Sequence, residues 1–128
     1  MPQPTKTASE PYEQQIPGGT LEPLESACAW VSTVIRSLEP DRVGLPELAA
    51  RSARGLVSNA LRATPTADKV LVRVLPLAKH IKVEVRHPGR PFALSDSWNY
   101  LDTEIVEFGS SGTHAGHNVW FLLPRAAE

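Results

Sequence analysis

Val70-Leu-Val-Arg-Val-Leu75 and His80-Ile-Lys-Val-Glu-Val-Arg86 read as two consecutive β-strands. The first is nearly all apolar, as expected for a strand covered on both faces or lying at the centre of a sheet. The second alternates: Ile81, Val83 and Val85 point one way, and Lys82, Glu84 and Arg86 the other. Ala78-Lys79 falls in the hairpin between them. Such a pair needs a second layer to bury its apolar face, and the residues before it supply one.

Leu45, Ala49, Ala53, Leu56 and Ala60 form an apolar stripe at helical spacing, widened by Leu48, Val57 and Leu61. Pro46 suits the first turn of that helix, and Thr64-Pro65 ends it. Further back, Leu24, Ala27, Cys28, Val31, Val34, Ile35 and Leu38 recur at helical spacing. Thr20 is the expected N-cap, Pro23 sits in the first turn, and Glu39-Pro40-Asp41 stops the helix. Tyr12 to Ile16 reads as a short edge strand closed by Pro17-Gly18-Gly19. Residues 1 to 11 are polar and rich in Pro, Thr and Ser, which predicts a disordered tail before one domain over 12 to 128.

After the hairpin, Pro88-Gly89-Arg90-Pro91 is a turn. Ser95, Asp96 or Ser97 then caps a third helix, with Trp98, Leu101, Ile105 and Phe108 on its inner side. Gly109 to Gly116 reads as a loop, and Val119, Phe121 and Leu123 as the inward set of a last strand. The expected order is strand, helix, helix, strand, strand, helix, strand. It makes an α/β two-layer sandwich: a mixed, mostly antiparallel sheet covered on one face by helices.

The net charge of −1 gives no electrostatic case for nucleic acid or an anionic membrane. Cys28 is the single cysteine, so no intrachain disulfide forms, and its neighbours Ala27, Ala29 and Val31 mark it as a small buried hydrophobe. No apolar run approaches the roughly 20 residues that span a bilayer. The N-terminus carries no apolar signal core, so the expected location is the cytoplasm. His114 and His117 read as surface histidines of a loop rather than zinc ligands, because no second cysteine or loop carboxylate joins them. Ser110-Ser111 lacks the strand-turn-helix elbow of a nucleophile. Trp30, Trp98 and Trp120 read as core or half-buried anchors.

Gly55-Leu-Val-Ser-Asn59-Ala-Leu-Arg62, Val83-Glu-Val-Arg-His87-Pro-Gly89 and His117-Asn-Val-Trp-Phe-Leu-Leu123 follow one another in a recognisable order. Together they resemble the anti-sigma-factor serine kinases, a bacterial branch of the GHKL (histidine kinase-like) ATPase superfamily. The resemblance covers about residues 12 to 123 and implies a GHKL ATPase-like fold. In that family the second helix carries an acid acting as general base and, one turn later, an Asn that holds magnesium. Asn59 matches the Asn and is the retained cofactor-binding candidate, whereas the acid's position falls on Gly55. The family's adenine-reading Asp is replaced by His87, with its glycine kept as Gly89.

Counting back from Phe108-Gly109 as a helix end, the two phosphate-loop glycines fall on Ser95 and Ser97. Only Pro88 to Leu94 stand where active relatives have a lid, and Asn118 takes the place of the Thr that supports the adenine Asp. With these substitutions the resemblance implies a scaffold without a catalytic residue and with no bound cofactor. The function the resemblance implies is regulatory: holding a sigma factor or an anti-anti-sigma protein of a partner-switching circuit without ATP. Active relatives act as homodimers. The family's contact region maps here to Arg36, Asp41, Arg42 and Arg51, although Cys28 stands where relatives often place an Arg that touches the sigma factor. The alternatives are an active kinase using Mg-ATP and an orphan adaptor that docks on an unrelated protein.

Overall fold

The computed structural model describes residues 11–65, 68–88, 107–113 and 116–125. Strand β1 (Tyr12–Pro17) is followed by helices α1 (Leu24–Leu38) and α2 (Leu45–Ala63). A hairpin comes next, β2 (Lys69–Pro76) and β3 (His80–His87), and then a second one, β4 (Glu107–Thr113) and β5 (Gly116–Pro124). The five strands form one sheet in the order β1-β2-β3-β5-β4. The molecule is therefore an α/β fold with a helix pair on one face of an antiparallel sheet.

Strands β1, β2, β3 and β5 alternate, and one set of their side chains makes the core. Ile16, Val70, Val72, Val74, Ile81, Val83, Val85, Val119, Phe121 and Leu123 are buried on the inner face. They meet Ala27, Val31, Val34 and Ile35 of α1, and Leu48, Ala49, Ala53, Leu56, Val57, Ala60 and Leu61 of α2. The alanines of α2 let it lie close, and burial of the larger side chains contributes about 1.5–3 kcal/mol each relative to exposure. Cys28 is buried, as its apolar neighbours suggest.

Local signals explain the element ends. Pro46 sits at the start of α2, after Gly44 at φ +90°. That left-handed backbone favours glycine and turns the chain between the helices. The α1 helix begins at Leu24 rather than at a Thr20 cap. Thr20 instead accepts a hydrogen bond at Oγ1 from the Glu22 backbone amide, 3.3 Å away. The α1 helix stops at Leu38, and Glu39 donates its amide to the Ile35 carbonyl. In the hairpin loop, Leu77 N–H donates to the His80 carbonyl at 2.8 Å.

Three expectations need correction. Every strand pair is antiparallel among the described residues, so the sheet is not mixed. Phe108 is not on a helix: it lies in β4, opposite Phe121, and is 48% exposed. Gly109 to Thr113 are not loop either, because β4 pairs with β5 from Glu107↔Leu122 to Thr113↔Gly116. The small polar run Gly109-Ser-Ser-Gly112 carries no strand signal of its own. Pairing with the strongly apolar β5 makes it a strand. Gly109 also serves packing, since a Cβ there would lie 2.5 Å from Cζ2 of Trp120.

The apolar run of β2 is that of an interior strand, between β1 and β3, rather than of one covered alike on both faces: Val70, Val72 and Val74 are fully buried, and Leu71 and Leu75 half-buried. Residues 1–10 of the expected 1–11 tail, most of the third helix and residues 89–94 of the segment standing for the lid lie outside the described residues. No helix among the described residues is long and apolar enough to cross a membrane.

Candidate functional site

The period of β3 carries its inner face from Ile81, Val83 and Val85 to His87, which is 1% exposed. Its register partner on β5 is His117, also buried. The two rings meet edge to face, 5.6 Å between centroids and 88° between planes. Burial, then the nearby His117, push the His87 imidazole down to about 4, and burial lowers His117 as well. Both rings are therefore neutral near pH 7, each with one donor and one acceptor nitrogen.

This corrects the expectation that His117 is a surface loop residue. It belongs to β5, whose alternation turns it inward with Val119. It also changes the reading of Asn118. The residue across from position 87 is His117, while Asn118 stands on the outer face, where its Nδ2 donates to Glu84 Oε2 at 3.4 Å.

A cleft of about 530 Å³ opens at this end of the sheet. Lys69 and Leu71 come from β2, Arg86, His87 and Pro88 from β3 and the residue after it, Ser111 and Gly112 from β4, and Gly116, His117 and Asn118 from β5. Its volume lies within the usual range for small-molecule sites. Asn59 and Gly55 do not line it. Asn59 is half-buried on α2. Gly55 is buried, and its carbonyl accepts a bond from Ser58 Oγ at 3.1 Å.

The outer face of the same strands holds a charge network built on Glu84, which is 4% exposed. Arg73 Nη1 lies 2.9 Å from its carboxylate, Lys82 Nζ 3.1 Å and Arg86 Nη2 3.9 Å. Arg73 also reaches Glu13 on β1 at 3.0 Å. Burial alone would raise the Glu84 carboxyl, but Lys82, Arg73 and Asn118 outweigh it and hold the group below the usual 4.5. Lys82 lies 4.8 Å from the Trp120 ring centre, a cation–π contact.

The partner-contact candidates are placed at the other end of the helix layer. Arg36 is exposed, 3.4 Å from Ser32 Oγ and 3.8 Å from Glu47. Asp41 is exposed in the α1–α2 connection, and Arg51 is exposed on α2. Arg42 instead donates to the Pro124 carbonyl at 3.3 Å, tying the connection to the end of β5. A second cleft of about 430 Å³ lies here, lined by Arg42, Val43, Gly44, Leu45, Leu48 and Pro124. Val43 is fully exposed beside it.

Two structural features escaped the sequence reading. The Glu84 network had a visible trace, since opposite charges alternate along Arg73, Lys82, Glu84 and Arg86. The pair Glu39–Arg125, 2.8 Å apart and largely buried, had none, because its members lie 86 positions apart. A scan against protein-family models and a search of curated proteins both give no match.

Proposed function

We propose that the chain is a regulatory binding protein on a GHKL ATPase-like scaffold, acting in the cytoplasm on a sigma factor or partner-switching protein without ATP. One observation carries this reading. Where the resemblance implies a carboxylate that reads adenine, the chain has His87, buried at 1% exposure against His117 and held neutral. A buried neutral imidazole is a poor substitute for an exposed carboxylate acceptor. Gly55 adds to it, since glycine has no side chain to serve as a general base.

Binding falls to the α1–α2 side, where the end of α1 presents Arg36 and the connection to α2 presents Asp41 and Val43 to solvent. With no nucleotide to act as switch, release of the partner follows from competition by another protein, because a ligand shifts an equilibrium only by its differential affinity. Asn59 then has a structural role on α2.

The test is affinity for the sigma factor captured with the chain from its native cytoplasm, measured with Mg-ATP, with Mg-ADP and with neither. The expected result is one dissociation constant within a factor of ten, about 1.4 kcal/mol, across the three. A larger change would restore the kinase reading, and capture of an unrelated protein alone would favour the orphan adaptor.

A further inference from the structure

We propose that the cleft at the β2–β3–β4–β5 end of the sheet binds a small organic anion with an apolar body. This goes beyond the regulatory reading and does not depend on it. Lys69 and Arg86 line the cleft, and among the described residues no carboxylate does. Among the described residues Arg86 is only loosely engaged: its ion pair with Glu84 is 3.9 Å long, and that carboxylate is more closely held by Arg73 and Lys82. Both cations are thus available to an incoming anion, with Arg able to present two parallel donors to a carboxylate or sulfonate.

The rest of the wall suits an apolar body. Leu71 and Pro88 are lining residues, and the His87 and His117 rings are neutral. Gly112 and Gly116 are lining residues too, and Gly116 lets β5 approach the end of β3 closely: a Cβ there would lie 2.8 Å from the His87 carbonyl oxygen. Ser111 and Asn118 supply polar contacts, and the buried Asn118 Oδ1 has no hydrogen-bond partner. A hydroxyl or N–H on the ligand body would satisfy it. About 530 Å³ accommodates a body of one or two rings.

The experiment uses the full chain and 1-anilinonaphthalene-8-sulfonate, with uncharged N-phenyl-1-naphthylamine as the comparison. Fluorescence titration should give saturable binding of one sulfonate per chain. Amide shifts in a 15N-resolved spectrum should concentrate at His87, Gly112, Gly116 and His117. Lys69→Gln with Arg86→Gln should weaken the sulfonate at least tenfold and leave the uncharged compound within twofold. Ser111→Asp, on an exposed position, should weaken the sulfonate in the same direction. Shifts centred on Val43 and Leu48, unsaturable binding, or equal loss of both compounds would overturn the proposal.

Discussion

Strand β3 handles two buried ionisable side chains three residues apart in opposite ways. Glu84 faces outward and stays charged, because Arg73 and Lys82 lie within about 3 Å of it. His87 faces inward beside His117 and stays neutral, because burial, and then the nearby His117, disfavour its charged form. The helix-covered face excludes charge, while the other face organises it. Burial alone therefore does not predict ionisation; the neighbours do.

The largest expected effect tests the helix-covered face. Phe121→Ala removes a fully buried ring from the centre of the core and should cost about 3–5 kcal/mol in denaturant unfolding. A loss below 1 kcal/mol would mean that the inner face is not the main source of stability.

Acid should then separate the two faces. The folded His87 value, about 4, lies below its usual 6.5, so the unfolded chain binds the proton first as pH falls. The stability is fully present above pH 6.5 and is lost between 6.5 and about 4, by up to roughly 3 kcal/mol. Glu84 also has a lowered value, so its contribution is present above about 4.5 and lost below that. Unfolding free energy measured against pH should therefore fall in two stages. His87→Gln should flatten the upper stage, and Glu84→Gln the lower. An upper stage unchanged by His87→Gln would break the contrast.

At pH 7, Glu84→Gln should cost about 1–3 kcal/mol, since it leaves Arg73 and Lys82 without their charged partner in a half-buried site. Adding salt up to 1 M should recover little of it, because buried pairs are poorly screened. Recovery of most of the loss by salt would place Glu84 with ordinary surface charges.

The smallest effect is a control on the helices. Arg54 pairs with Glu25 at 2.5 and 2.6 Å, but both side chains are well exposed. Arg54→Gln should leave the melting temperature unchanged within error, despite geometry as good as that around Glu84. A clear drop would show that ion-pair geometry, rather than burial, sets the value of a charge in this protein.

The Pro17-Gly18-Gly19 turn marked β1, and periodicity in the sequence was enough to identify α1, α2, β2, β3 and β5 and to assign the inner face of β3 and β5. These elements carry long apolar patterns whose period of 3.6 or 2 is a local property of the chain. Strand β4 was not legible, because Phe108-Gly-Ser-Ser-Gly112 is apolar at only one end and becomes a strand by pairing with β5. The histidine pair was half legible. The β3 alternation extended by one step puts His87 inward, but His117 was read with the loop before it rather than with Val119.

What the sequence determined by itself was chemical: a glycine at 55, histidines at 87 and 117, and alternating charge on one face of β3. Only the tertiary structure decided which of these residues meet. It set His87 against His117, surrounded Glu84 with cations from two strands, and joined Lys69 and Arg86 in one cleft. The physical reason is that strand register places residues tens of positions apart side by side. A local hydrophobic pattern fixes which face a side chain takes, but not which strand lies next to it.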